Sequence, residues 1–226
     1  AFYIARSGRP GPVVLDFAKN AQTAMIEYAP QTVDFIRSYN PVPETQPGSI
    51  EMAAELINQS VKPLMLVGQG VELAGARQEL LALCEKAQIP FGQTMLGLSA
   101  APTGHPLNMG MLGMHGNLAP NVMTNQCDLL IAVGMRFDDR VTGDLHTYAK
   151  QAKVIHLDID PSEVGKIGKP TVAVLGNCKQ TLAQVTELVE PARHQAWIDG
   201  FKPYAEKEYN KVIDAALNPK DGPLLM

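Results

Sequence analysis

The sequence predicts an α/β fold, a parallel sheet in three layers with helices on both faces. Three observations carry that expectation. Short apolar runs recur over Pro63 to Val67, Ile89 to Thr94, Asp128 to Val133, Lys153 to Asp158 and Thr171 to Leu175. The run from Asp128 to Val133 has lost the alternation of a strand with one wet face, as a strand buried on both sides does. Stretches of helical period lie between the runs, giving strand–helix units of about 30 residues, which close into parallel sheets through right-handed crossovers.

In chain order, Arg9-Pro10-Gly11-Pro12 is a rigid turn feeding a strand over Val13 to Phe17. From about Pro30 to Gly48 the text is rich in proline (Pro41, Pro43, Pro47), which suits an extended linker. Ser49 is placed to cap a helix to about Gln59, with Ala53, Leu56 and Ile57 on one side. The strand from Pro63 ends at Gly68-Gln69-Gly70. One helix is expected after it, with Leu73, Ala76, Leu80, Leu83, Cys84 and Ala87 on one face. Beyond the strand at Ile89 to Thr94, a connection rich in glycine and methionine leads to Gly110-Met-Leu-Gly-Met-His-Gly116, and a helix follows over about Leu118 to Asn125. The last two strands precede a helix from about Cys178 to Val189. Trp197, Phe201, Tyr204 and Val212 then fall on one side of a charged helix, a stripe that docks on a neighbour. Ala1 in place of methionine, and Asp221 to Met226 without a closing element, read as ends cut from something longer.

Composition excludes several classes. Hydrophobic residues make up 46% and charged residues 19% of 226, enough for a real core. A net charge of −4 argues against a nucleic-acid or anionic membrane partner. No apolar run reaches the ~18 residues that a membrane span needs, and no export signal is visible. Cys84, Cys127 and Cys178 are widely spaced, and read as reduced, buried residues of a cytoplasmic protein rather than zinc ligands.

The chemistry concentrates where strands end. The central strand breaks at Gly134 into Met-Arg-Phe-Asp-Asp-Arg140, four charged residues in five positions. Arg136 and Arg140 suit a phosphate or carboxylate and Asp138 and Asp139 suit orienting them; the competing reading is a solvated turn of ion pairs. Gly68 and Gly70 suit main-chain N–H groups facing a diphosphate, or a plain tight turn. Leu73 stands where a third glycine would complete the dinucleotide fingerprint, which makes an ordinary dehydrogenase a poor match. Asp158 and Asp160 suit a ribose hydroxyl, with helix capping before Pro161 as the alternative for Asp160. His115, between two glycines, could approach a flavin ring or a phosphate, but is not assigned as a general base. Met95, Met111, Met114 and Met135 could pave a flat pocket or fill the core.

Three motifs together carry a resemblance: Gly8-Arg-Pro-Gly-Pro-Val-Val-Leu-Asp16 with Lys19, Gly110-Met-Leu-Gly-Met-His-Gly116, and Gly134-Met-Arg-Phe-Asp-Asp-Arg-Val-Thr-Gly143. In this order they resemble the catalytic subunit of the acetohydroxyacid synthase (acetolactate synthase) family of thiamine-diphosphate enzymes. The resemblance implies a division into residues 1–30, the end of a first, pyrimidine-binding domain; 31–47, a linker; 48–190, a middle domain carrying FAD; and 191–226, a linker and the start of a third, diphosphate-binding domain.

It also implies FAD contacts at Arg9; Gly68, Gln69 and Gly70; Thr94, Met95 and Leu96; Leu112, Gly113, Met114 and His115. Further contacts are implied at Gly134, Met135, Arg136, Asp138, Arg140 and Val141; Asp158 and Ile159; and Gly176, Asn177 and Cys178. Lys19, Met114, Asp139 and Arg140 would line a substrate channel. Two departures stand out: Gln69 where the family has alanine or glycine, and Asn177 where it has aspartate.

The family condenses 2-oxoacids with loss of carbon dioxide in branched-chain amino-acid synthesis, using thiamine diphosphate and Mg2+, as a homodimer or homotetramer with or without a small regulatory subunit. Neither its catalytic glutamate nor its Gly-Asp-Gly magnesium motif occurs here, so these residues alone are expected to catalyse no condensation, to bind no metal and to hold FAD weakly. Pyruvate oxidase, a 2-oxoacid decarboxylase, an electron-transfer module and a structural dimerisation domain are the rival readings.

Overall fold

The structure, a computed structural model, describes residues 1–30 and 32–218; the expectation at Asp221 to Met226 lies outside them. The chain begins with two short helices, α1 (Phe2–Arg6) and α2 (Lys19–Thr23), then runs, among the described residues, without helix or strand to α3 (Ser49–Gln59). From there strands and helices alternate. β1 (Pro63–Val67) leads to α4 (Gln69–Leu73) and α5 (Arg77–Ala87), and β2 (Phe91–Gln93) to β3 (Asn108–Met111) and α6 (Leu118–Thr124). β4 (Leu129–Val133) leads to α7 (Asp139–Thr142), then come β5 (Lys153–Asp158), β6 (Val172–Leu175) and α8 (Cys178–Leu188). The chain continues through α9 (Gln195–Asp199), α10 (Lys202–Glu208), a π-helical turn at Tyr209–Ile213, and α11 (Asp214–Leu217).

The six strands form one sheet in the order β3-β2-β1-β4-β5-β6, and every described pairing is parallel. The central strands are buried on both faces: all five residues of β1 and of β4 are buried, whereas the edge strand β3 is only partly buried throughout. Alternate residues serve opposite layers. Met65, Val67, Ile131, Val133, Ile155 and Leu157 pack with α3, α5 and α8. Leu64, Leu66, Leu130 and Ala132 pack with Ala119 and Met123 of α6 and with Trp197 and Phe201. The three-layer α/β expectation therefore holds, and the absence of alternation in the central runs has its cause in two covered faces.

Trp197 and Phe201 meet edge to face, with ring centroids 5.4 Å apart, and the indole N–H of Trp197 donates to the Pro63 carbonyl at 2.8 Å. The aromatic stripe thus docks on the sheet, except that Val212 is exposed.

Several local expectations fail for identifiable reasons. Val13 to Phe17 forms no strand, and Val14 is 91% exposed: no strand lies beside it among the described residues. Ser49 does not cap α3; Gly48, at φ +78°, takes that place, and the buried Ser49 hydroxyl donates to the Gln46 carbonyl at 2.7 Å. The single helix expected after Gly70, with Leu73 to Ala87 on one face, is two, because Gly75 enters the left-handed region at φ +61°, and Leu73 is exposed. No helix follows Pro161, where the chain turns instead. β3 was not foreseen: it is a four-residue edge strand containing Asn108 and Gly110, with little apolar signal. Among the described residues no helix is long and apolar enough to cross a membrane.

Candidate functional site

In a parallel sheet whose order reverses, the crevice lies beyond the strand ends at the reversal. Here that point falls between β1 and β4, where Val67 stands opposite Val133. The turns after these strands are bound to each other through main chain. Gly68 N–H donates to the Val133 carbonyl at 2.9 Å, and Gly70 N–H to the Gly134 carbonyl at 3.0 Å. A methyl group added at Gly70 would stand 2.6 Å from the Gly134 Cα, and one at Gly68 would sit against the Gly134 carbonyl. Gly134 itself has φ +58°. The glycines are thus required by the approach of two backbones. That corrects the expectation that these two N–H groups face a diphosphate: one is already engaged by the last residue of β4 and the other by the turn after it.

The neighbouring turns converge on the same edge. Thr94 N–H donates to the Val67 carbonyl at 2.9 Å, and Met95 and Leu96 follow at 62% and 65% exposed. The turn after β3 packs on the start of α7: Met114 N–H donates to the Arg140 carbonyl at 2.7 Å, and a methyl group at Gly113 would stand 2.8 Å from that oxygen. Met114 is 60% exposed, and His115 is exposed beside it. The Gly68, His115 and Arg136 turns therefore belong to one linked row of strand tips.

The charged run after Gly134 is partly a turn of ion pairs. The Arg136 guanidinium donates to the Asp138 carboxylate. The other oxygen of Asp138 accepts from Arg140 N–H at 2.9 Å and caps α7. That main-chain bond, ahead of the Arg136 charge, holds the Asp138 carboxyl below its usual range against the opposing effect of burial. Asp139 is exposed in the first turn of α7. The Arg140 guanidinium makes no hydrogen bond or ion pair among the described residues. Phe137 takes φ +53°, an uncommon conformation for a bulky residue, and its ring meets His156 edge to face at 5.2 Å.

Other candidate residues have structural tasks. Leu112, Met135 and Cys178 are buried, with Leu112 and Met135 in the layer against α6 and Cys178 in the opposite one. Val141 is partly buried against the α6 side. The Cys178 thiol donates to the Gly70 carbonyl at 3.1 Å, so α8 also holds the Gly68–Gly70 turn. Asp158 is buried, with one oxygen accepting from Asp160 N–H at 2.9 Å; Ile159 is half-buried between them. Asp160 is not a helix cap. One oxygen accepts from Ser162 N–H and hydroxyl at 2.9 and 2.7 Å, and the other from Arg9 at 3.0 Å. Asn177 caps α8 by accepting from Lys179 N–H at 2.9 Å, and Gly176 at φ +142° lies beside Thr45, whose hydroxyl donates to the Leu175 carbonyl at 2.8 Å. Gln69 is exposed at the start of α4.

Arg9 reaches the β5 end, but as an ion-pair partner: it bonds Asp160 and, at 2.5 Å, Glu163. Lys19 lies on the exposed α2, and no hydrogen bond or ion pair among the described residues links it to the strand tips.

Sequence reading missed the side chains that hold the turns. Asn121 accepts from Gly113 N–H at 2.8 Å and donates to the Gly113 carbonyl at 2.9 Å. Asn117 accepts from Met111 N–H at 2.9 Å, and buried Gln93 donates to the Gly97 carbonyl at 2.8 Å. Amides set beside glycine turns were the only signal.

Two open grooves are centred elsewhere, the first adjoining the row at Gln93 and Met111. One of about 610 Å3 runs between β3 and the 205–213 helices, past Met109, Glu208 and Tyr209. The other, of about 540 Å3, lies by Lys62, Gln126 and Tyr204. Among the described residues no three or more His, Cys, Asp or Glu side chains are grouped to hold a metal ion.

The pattern of the family described as "Thiamine pyrophosphate enzyme, central domain" matches residues 50–185. The chain is 41% identical over 208 residues to the acetolactate synthase large subunit of Corynebacterium glutamicum, covering 89% of this chain and 33% of that protein. It is 45% identical over 186 residues to the probable acetolactate synthase large subunit of Methanocaldococcus jannaschii, covering 80% and 31%. With the acetolactate synthase isozyme 1 large subunit of Escherichia coli K12 it shares 43% over 197 residues, covering 87% and 34%. The chain spans about a third of the length of the curated relatives it matches. With its six parallel strands, its crevice at the strand reversal and this match across the whole sheet, the chain belongs to the thiamine pyrophosphate enzymes, whose central domain it contains.

Proposed function

We propose that this chain is the FAD-carrying middle part of an acetolactate synthase, supplying a dinucleotide crevice and no bond-making group of its own. The observation that carries the reading is the convergence of the Gly68, Thr94, Gly113 and Gly134 turns, where the strand order reverses.

The exposed groups there suit FAD. Flavin and adenine rings are flat and largely apolar, which the exposed side chains of Met95, Leu96 and Met114 match. A diphosphate is anionic, which Arg136, Arg140 and His115 match. Because the amides of Gly68 and Gly70 are engaged by Val133 and Gly134, these side chains rather than those amides would meet it. Leu112, Met135 and Cys178 would act from behind by holding the turns. FAD bound here would bring a redox-active ring, in a role that fills the crevice and takes no net electrons.

On this reading residues 1–30 end a first domain, 31–47 link it, 48–190 carry FAD, and 191–226 lead to a third domain. The complete enzyme would decarboxylate pyruvate and join it to a second 2-oxoacid, giving acetolactate or acetohydroxybutyrate for valine, leucine and isoleucine synthesis. Thiamine diphosphate and Mg2+ would be held outside these 226 residues. Lys19, Met114, Asp139 and Arg140 would line the substrate channel, in a cytoplasmic homo-oligomer with or without a regulatory subunit. The test is FAD titration of the purified chain, read by flavin fluorescence, beside an acetolactate assay with thiamine diphosphate, Mg2+ and pyruvate. Saturable weak quenching and no acetolactate are expected. Absence of any FAD binding overturns the carrier role, and acetolactate formation overturns the claim that the chain lacks bond-making groups.

A further inference from the structure

We infer that His156 is the positioning residue that fixes the Met135–Arg140 turn at the crevice, a role that rests on the FAD reading for its functional meaning but not for its geometry. His156 lies on β5, in register with Ala132 of β4, and is 1% exposed. Its Nε2 is 2.8 Å from the Met135 carbonyl oxygen. A carbonyl only accepts, so Nε2 carries the proton and donates. The same nitrogen is 3.6 Å from a carboxylate oxygen of Asp158, which favours that proton from the β5 side. The imidazole also meets the Phe137 ring edge to face, with centroids 5.2 Å apart, and this contact accompanies the left-handed backbone of Phe137.

One buried imidazole therefore holds both sides of Arg136: the carbonyl before it and the aromatic ring after it. Arg136 has its own bond to Asp138, and Asp138 caps α7, so the hold extends to Arg140. A site group is placed accurately only when the residues behind it are themselves locked by packing and hydrogen bonds. Without the His156 donor, the Met135 carbonyl loses this partner, and the left-handed Phe137 loses the ring it packs on.

The test compares wild type with His156→Leu and His156→Gln in the full chain, by amide hydrogen exchange over Gly134 to Gly143 without FAD, and by FAD titration. Gln can place an amide N–H near the Nε2 position, whereas Leu fills the space without a donor. Exchange in this turn is expected to speed by about tenfold or more in His156→Leu, while the sheet stays protected, and to return most of the way in His156→Gln. FAD affinity is expected to fall about tenfold in His156→Leu and less in His156→Gln. Unchanged exchange in His156→Leu overturns the inference. So does a folded His156→Gln variant whose turn exchanges about tenfold or more faster than wild type, and this arm, read against wild type, decides the matter if His156→Leu fails to fold. If wild type binds no FAD, the carrier reading fails by itself, and the exchange data still judge His156.

Discussion

The Gly70 amide donates to the Gly134 carbonyl at 3.0 Å, binding the turn after β1 to the turn after β4 across the reversal of strand order. These turns are consecutive in space and 64 residues apart in sequence (134 − 70). Their glycines serve backbone contact, so the turn marks a crevice without the third glycine of a dinucleotide fingerprint.

Gly70→Ala is therefore expected to be costly. Its methyl group would stand 2.6 Å from the Gly134 Cα, and neither backbone has room to move without breaking the bond between them. A loss of about 3 kcal/mol, or roughly 6–12 °C in Tm, is the expected scale. Gly11→Ala, with nothing within 4 Å, serves as the control and should leave Tm unchanged. Equal melting of both variants in calorimetry would contradict the account.

Asn121→Ala removes the acceptor for Gly113 N–H and the donor to its carbonyl. Stability should fall by about 1–3 kcal/mol, and amide exchange at Met114 and His115 should rise more than at β4. Uniform exchange across the molecule would show that Asn121 does not hold this turn in particular.

The Arg9 ion pairs give a pH prediction. Burial pushes the Glu163 pKa up, but hydrogen bonds and charge from Arg9 and Lys166 outweigh it and leave the carboxyl below its ordinary range. At Asp160, burial is likewise outweighed, by bonds from Ser162 and Arg9. Both groups have folded-state values below their unfolded ones. Their contribution is present above the usual carboxylate range and is lost as pH falls through the folded-state values, below about pH 4. Melting curves from pH 7 to 3 should show a smaller acid loss in Glu163→Gln than in wild type. Parallel curves would count against the ion pair.

The thiols should be inert in the native protein. Burial pushes Cys127 and Cys178 to about 12 and raises Cys84 further in the same direction. An aromatic disulfide reagent at pH 8 should label none of the three rapidly, and all three after denaturation. Rapid labelling of Cys178 would mean that the Gly70 carbonyl is not its partner.

The buried strands were legible because burial on two faces erases alternation, and the docked Trp197 because its apolar stripe repeats at helical spacing. The two-part helix at Gly75 was not, since the apolar spacing continues across the break while one glycine backbone ends it. β3 escaped because an edge strand with asparagine and glycine has little apolar content. At the site, the turns were legible from their glycines and charges. Which groups are free to meet a ligand was not. The amides of Gly68 and Gly70, the carboxylate of Asp160 and the guanidinium of Arg9 all have partners far away in sequence.

The most direct test is amide hydrogen exchange of the chain with and without saturating FAD. Added protection should concentrate at Gly68 to Gly70, Thr94 to Leu96, Leu112 to His115, Gly134 to Val141, Asp158 to Ile159 and Gly176 to Cys178. Protection gathered instead beside Met109 and Tyr209, or beside Lys62 and Tyr204, would place the dinucleotide in one of the two other grooves and contradict a crevice at the strand reversal.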